Sequence, residues 1–165
     1  MKYRKDFVTN SSSSSFIVAF NNKDEGINYF ANKIKEDEIF NQVLEDFQNA
    51  KSMNIDEVLE YAKKEFLGDT YHILMSKPYK TNRSFCDYIQ NKYPNLKYHE
   101  IFELPEFKAK QEEIVKKNIE SFKKKIQNLK YFVTLSYEDH TMNGSELEHY
   151  IMPNLDCTIE SFNHH

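Results

Sequence analysis

The stretch Ser15-Phe16-Ile17-Val18-Ala19-Phe20-Asn21 holds five successive apolar residues between polar neighbours, the pattern of a short buried strand. Far along the chain, Tyr131-Phe132-Val133-Thr134-Leu135-Ser136-Tyr137 alternates, which sets Tyr131, Val133, Leu135 and Tyr137 on one face of a second strand. Cys157 to Phe162 reads as the last strand. Between these ends, apolar residues recur at helical spacing: Ile27, Phe30, Ala31 and Ile34, then Phe40, Val43, Leu44 and Phe47. The phase slips at Glu36-Asp37-Glu38, so this is one bent helix or two short ones. The pattern predicts an α+β fold: a small, mostly antiparallel sheet formed from both chain ends, with a predominantly helical middle packed on it. Residues 1–163 read as a single domain, with His164 and His165 as the remnant of a purification tag.

Further along the middle, Asn54 is suited to cap a helix carrying Ile55, Val58, Leu59, Ala62 and Phe66 on one face. Gly68 is expected to stop it, and Tyr71 to Met75 to form a brief strand ending at Pro78. Phe85, Tyr88 and Ile89 suggest a short helix closed by Pro94. Pro105 suits the first position of a long helix, where its missing N–H costs nothing. Phe107, Ile114, Val115, Phe122, Ile126 and Leu129 make its apolar stripe.

The chain of 165 residues carries 13 Phe and 11 Tyr, enough for a real core, yet 29% of it is charged. No run approaches the ~18 apolar residues of a spanning helix, which excludes a helical membrane protein. Charged Met1 to Asp6 is followed by no apolar segment, so no secretory signal is read and a cytoplasmic location is expected. Cys86 and Cys157 form no CxxC pair and are expected to be reduced structural thiols. No motif identifies a cofactor or an oligomeric state.

The most distinctive feature is Asp6-Phe7-Val8-Thr9-Asn10-Ser11-Ser12-Ser13-Ser14-Ser15-Phe16-Ile17. It resembles an N-terminal DFVTNSSSSSF-type signature shared by a scattered group of small uncharacterised bacterial proteins. The resemblance implies a grouping and lends no mechanism. Physically, Ser11, Ser12, Ser13, Ser14 and Ser15 offer hydroxyl donors and acceptors that compete with regular structure, so an extended or turning lead-in to the first strand is expected. An anion cradle is the sharper alternative, weakened by the lack of glycine and of a helix behind the run. Phosphorylation is a third.

A second candidate lies at Glu138-Asp139-His140 and Glu146, Glu148 and His149. Glu146 and His149 stand three apart, a spacing used by carboxylate metal sites on helices. With His140 they make a conceivable set of ligands for Zn, Mn or Fe, and Asp139 joins them as a catalytic candidate. Against this, Ser145-x-x-Glu148 has the form of a capping box, which would account for Glu148 alone. His72 and His99 have no evident partner in the sequence.

The third feature is electrical. Between Pro105 and Lys130 there are eight lysines and four glutamates, although the chain as a whole has a net charge of −4. Lys116, Lys117, Lys123 and Lys124 lie close to one side of the long helix, where they suit an acidic partner or nucleic-acid phosphates. Glu112–Lys116, Glu113–Lys117 and Glu120–Lys124 are spaced for pairing within the helix. No arginine follows Arg83, and base reading leans on arginine. With no complete catalytic motif, the leading expectation is a non-enzymatic binding or accessory module that contacts another protein. A metal-dependent hydrolase or nuclease and a nucleic-acid binder are the alternatives.

Overall fold

The computed structural model describes residues 12–77, 79 and 83–164; Ser11 and His165 lie outside them. The chain gathers into two compact units, Met1–Asn54 with Asn128–His165, and Ile55–Gln127.

The first unit is built on a four-stranded sheet. Its strands are β1 (Ser13–Phe20), β2 (Ser52–Met53), β3 (Tyr131–Glu138) and β4 (Thr158–His164), in the order β2-β3-β1-β4. Every pairing is antiparallel, as the α+β expectation requires. Because β1 lies between β3 and β4, its backbone is paired on both edges, and this carries three serines into the strand despite their poor strand propensity. Ser13–Ser15 are therefore part of β1 and not a lead-in to it. Register sets Ser14 opposite Tyr137 on one side and Asn163 on the other.

Two helices cover one face of this sheet, α1 (Lys23–Lys33) and α2 (Phe40–Asn49). The phase slip thus separates two helices. Asn22 caps α1 by accepting a hydrogen bond from the Glu25 N–H. Phe16, Val18 and Phe20 of β1 and Val133, Leu135 and Tyr137 of β3 pack with Phe30, Phe40, Val43 and Phe47. The Phe47 ring meets Phe20 edge-on at 5.5 Å and Phe30 at 5.3 Å, the offset geometry aromatic pairs prefer.

The second unit is helical among its described residues: α3 (Ile55–Ser76), α4 (Phe85–Lys92), α5 (Tyr98–Ile101) and α6 (Pro105–Ile126). The expected stop at Gly68 and strand at Tyr71 to Met75 do not form, since α3 runs through both. Its buried stripe, Val58-Ala62-Phe66-Thr70-Leu74, continues past the glycine at four-residue spacing. Burying those later residues outweighs the roughly 1 kcal/mol that a mid-helix glycine costs. α3 and α6 run antiparallel, with Gln111 donating to Thr70 Oγ1 at 2.9 Å and Phe66 beside Phe122. Ser84 caps α4 in a full capping box with Asp87. No described helix is long and apolar enough to cross a membrane.

Candidate functional site

Two places in the molecule combine reactive or unpartnered groups in a defined geometry, one in each unit.

In the sheet unit, β3 ends at Glu138 and the chain turns through Asp139, His140 and Thr141 into a short helix, α7 (Gly144–Glu146). Asn143 adopts a left-handed φ of 61°, which asparagine tolerates better than most residues. Gly144 then passes so close to the end of β3 that a Cβ there would lie 1.9 Å from the Glu138 carbonyl oxygen. That approach brings the following π-helical turn, Leu147–Ile151, up against the strand. The predicted capping box is absent: α7 has no side-chain cap bond, and Ser145 is exposed.

Glu148 instead points inward and is only 2% exposed. Ser14 Oγ donates to its Oε1 at 2.7 Å, and Ser12 Oγ stands 3.4 Å from its Oε2. Ser12 donates to Asp139 Oδ2 at 2.5 Å, while the other oxygen of Asp139, Oδ1, lies 2.7 Å from His149 Nε2. The Ser12 hydroxyl, and secondarily His149, hold the Asp139 carboxyl below the usual carboxylate range. Ser14 has one hydroxyl proton, and the carboxylate is the stronger acceptor. The Asn163 Oδ1, 2.8 Å away, is the second acceptor within reach of that one proton. Ser15 faces the opposite way, with its hydroxyl 2.9 Å from that of Ser136 and 3.2 Å from His164 Nε2.

The serine run and the Asp139–His149 segment thus meet at one place, joined by the β1–β3 pairing. The membership differs from the expected ligand set. His140 turns away to Glu138, 3.0 Å from its Oε2, and Glu146 is exposed. Asp139, Glu148 and His149 bring their ligand atoms within 4.8 Å of one another. The i,i+3 argument for Glu146 assumed 3.6 residues per turn, and the π-helical turn from Leu147 alters that phase. The inward role of Glu148 and its bonds to Ser12 and Ser14 left no local sequence signal. At Ser12 and Ser14 the order of contacts also argues against a nucleophile, because a carboxylate and not the imidazole of His149 touches each hydroxyl.

In the helical unit, α3 carries a second apolar ridge at strict four-residue spacing: Ile55, Leu59, Leu67, Tyr71 and Met75, interrupted by Lys63. Apart from half-buried Leu59 these are exposed, Leu67 at 46% and Tyr71 at 43%. Between this ridge and α6 runs an open groove of about 1040 Å³ with Leu59, Leu67, Tyr71, Val115 and Ile119 along it. Lys116 and Lys123 stand on its α6 wall, and Asp56 and Glu60 on its α3 wall. The sequence reading sets Ile55 and Leu59 on the same face as Val58, Ala62 and Phe66 and ends the helix at Gly68, so it does not anticipate the ridge.

The three anticipated pairs within α6 do not form. Glu113 binds Lys110 at 2.9 Å instead. Lys116, Lys117, Lys123 and Lys124 have no hydrogen bond or ion pair among the described residues.

Neither cysteine is reactive. Both are free and buried; burial pushes the Cys157 thiol up to about 12 and raises that of Cys86. A thiol so shifted is protonated at neutral pH and a poor nucleophile. His72 lies exposed on α3 and His99 exposed on α5. No family model, curated protein or solved structure matches this chain.

Proposed function

We propose that the protein is a binding module whose α3–α6 groove receives an amphipathic helix of a protein partner. The observation that carries this reading is the exposed apolar ridge of α3 beside Lys116 and Lys123 of α6, which have no ion pair among the described residues. Apolar residues at four-residue spacing are what a helix presents to another helix, and an amphipathic helix in a groove is a recurring recognition mode. From Asp56 to Tyr71 the groove follows α3 for 16 residues, room for a helix of about four turns. Lys116 and Lys123 call for acidic residues along the α6-facing edge of that helix.

The apolar floor and the carboxylates of Asp56, Glu60 and Glu112 on the rim disfavour nucleic acid, which wants a continuous basic track.

The test is a photo-reactive residue placed at Leu67, irradiated in the producing cells, with the attached segment mapped by mass spectrometry. The expected product is a protein segment with apolar residues at helical spacing and acidic flanks. Its yield should fall about tenfold or more with Tyr71→Lys or with Lys116→Glu and Lys123→Glu combined. Cross-links to nucleic acid, or yields indifferent to these substitutions, would overturn the reading.

A further inference from the structure

The geometry points to a divalent metal site at the junction of the serine run and the π-helical turn, formed by Asp139, Glu148 and His149. This site is independent of the groove.

Three observations converge on it. First, the ligand atoms face one another: His149 Nε2 lies 2.7 Å from Asp139 Oδ1 and 3.9 Å from Glu148 Oε2. Atoms bound to one ion at ~2.1 Å stand about 3.4 Å apart when tetrahedral, so the observed separations bracket what one ion needs.

Second, each carboxylate is already oriented for the task. Ser12 holds Asp139 by Oδ2 and Ser14 holds Glu148 by Oε1, which leaves Oδ1 and Oε2 turned toward the imidazole. Metal-binding carboxylates are commonly fixed in this way, by a hydrogen bond to the oxygen the metal does not take.

Third, Glu148 is a buried carboxyl whose neighbours are two hydroxyls, the Asp139 carboxyl and one shared imidazole, so two acidic groups share a single cationic partner. Hydroxyls solvate a carboxylate but do not neutralise it, and a buried charge without a counter-charge costs several kcal/mol. A bound cation supplies that counter-charge.

Two oxygens and one imidazole nitrogen suit a first-row transition ion such as Zn2+ better than Mg2+ or Ca2+, which favour oxygen alone. Ligands must be deprotonated to bind an ion, so binding weakens as pH falls. His149 and Asp139 remain partly exposed, which leaves the outer side of the ion open to water or an anion.

Calorimetric titration of the metal-free, full-length protein with Zn2+, and visible absorption on adding Co2+, test the site directly. One ion per chain is expected. His149→Gln and Asp139→Asn should each weaken it, and Ser14→Ala should weaken it about tenfold or more without removing a ligand. His149 is exposed, so its variant keeps the test open if Glu148→Gln does not fold. His140→Ala, and a chain with His164→Gln and His165→Gln, should bind as the parent does. Absence of stoichiometric Zn2+, binding that survives His149→Gln and Asp139→Asn together, or binding lost with His164 and His165 alone would each overturn the assignment.

Discussion

The sheet unit buries Ser14, Ser15 and Glu148 beside its phenylalanine core, whereas the helical unit leaves Ile55, Leu67, Tyr71 and Met75 in solvent. Each unit also holds the other kind of group, with Thr70, Ser84 and Gln111 buried in the helical unit and Met142 and Tyr150 exposed in the sheet unit. The difference therefore lies in how the groups are arranged. The buried polar groups of the sheet unit find partners more than 100 residues away, Ser14 with Glu148 and Ser15 with Ser136. Those of the helical unit find theirs nearer: Ser84 with Asp87, and Thr70 with Gln111 on the adjoining helix. A helix satisfies its own backbone, so its surface is free to carry an apolar ridge at little structural cost. A sheet assembled from both ends of a chain brings distant side chains together at fixed register, which is how a polar cluster is built. The comparison teaches that a polar cluster and a continuous apolar ridge each sit where the architecture can hold them.

Substituting the same residue type in both units sharpens this contrast. Gly144→Ala is expected to lower stability by about 3 kcal/mol, because its Cβ would collide with the backbone carbonyl of Glu138 and has nowhere to go. Chemical denaturation would register it as a fall in midpoint, and the same variant should lose Zn2+, since the turn that positions Glu148 and His149 must shift. Gly68→Ala should do the opposite. Nothing lies within 4 Å of its Cβ position, and its backbone is helical, so a gain of about 0.5–1 kcal/mol is expected. A loss of stability there would mean that α3 is not continuous through Gly68.

A smaller effect should appear in acid. The hydroxyl of Ser12 and the imidazole of His149 lower the Asp139 proton affinity in the folded chain, so the unfolded chain takes up that proton first. The resulting stabilisation is present above the ordinary aspartate value of about 3.9 and fades as pH falls through the lower folded value. Urea midpoints measured from about pH 6 down to pH 3 should therefore fall less steeply for Asp139→Asn than for the parent. Equal slopes would show that the Ser12–Asp139 bond does not persist in solution.

Much of the fold was legible because it depends on short-range periodicity. Phe16 to Phe20, Tyr131 to Tyr137 and the Pro105 helix all stand close to where their patterns place them. Gly68 misled because its local cost was weighed without the stripe that continues through Thr70 and Leu74. The cluster was only half legible. Asp139 and His149 could be picked out as reactive types, but Glu148 was absorbed by a capping pattern, Glu146 was assigned to the cluster by helical spacing and His140 by its place beside Asp139. The π-helical turn changes which residue faces inward, and no pattern of residue types announces it.

By itself the sequence determined the elements of this protein: apolar runs that must be buried as strands, helices with apolar stripes, and a helix loaded with lysine. Periodicity suffices for these because each follows from neighbours a few residues apart. Only the tertiary structure decided that Ser12 and Ser14 would hold Asp139 and Glu148. That depends on the register of β1 against β3 and on one glycine-sized gap at Gly144. Register is set by the burial of an entire sheet face, so it belongs to the folded whole and not to any segment of the chain.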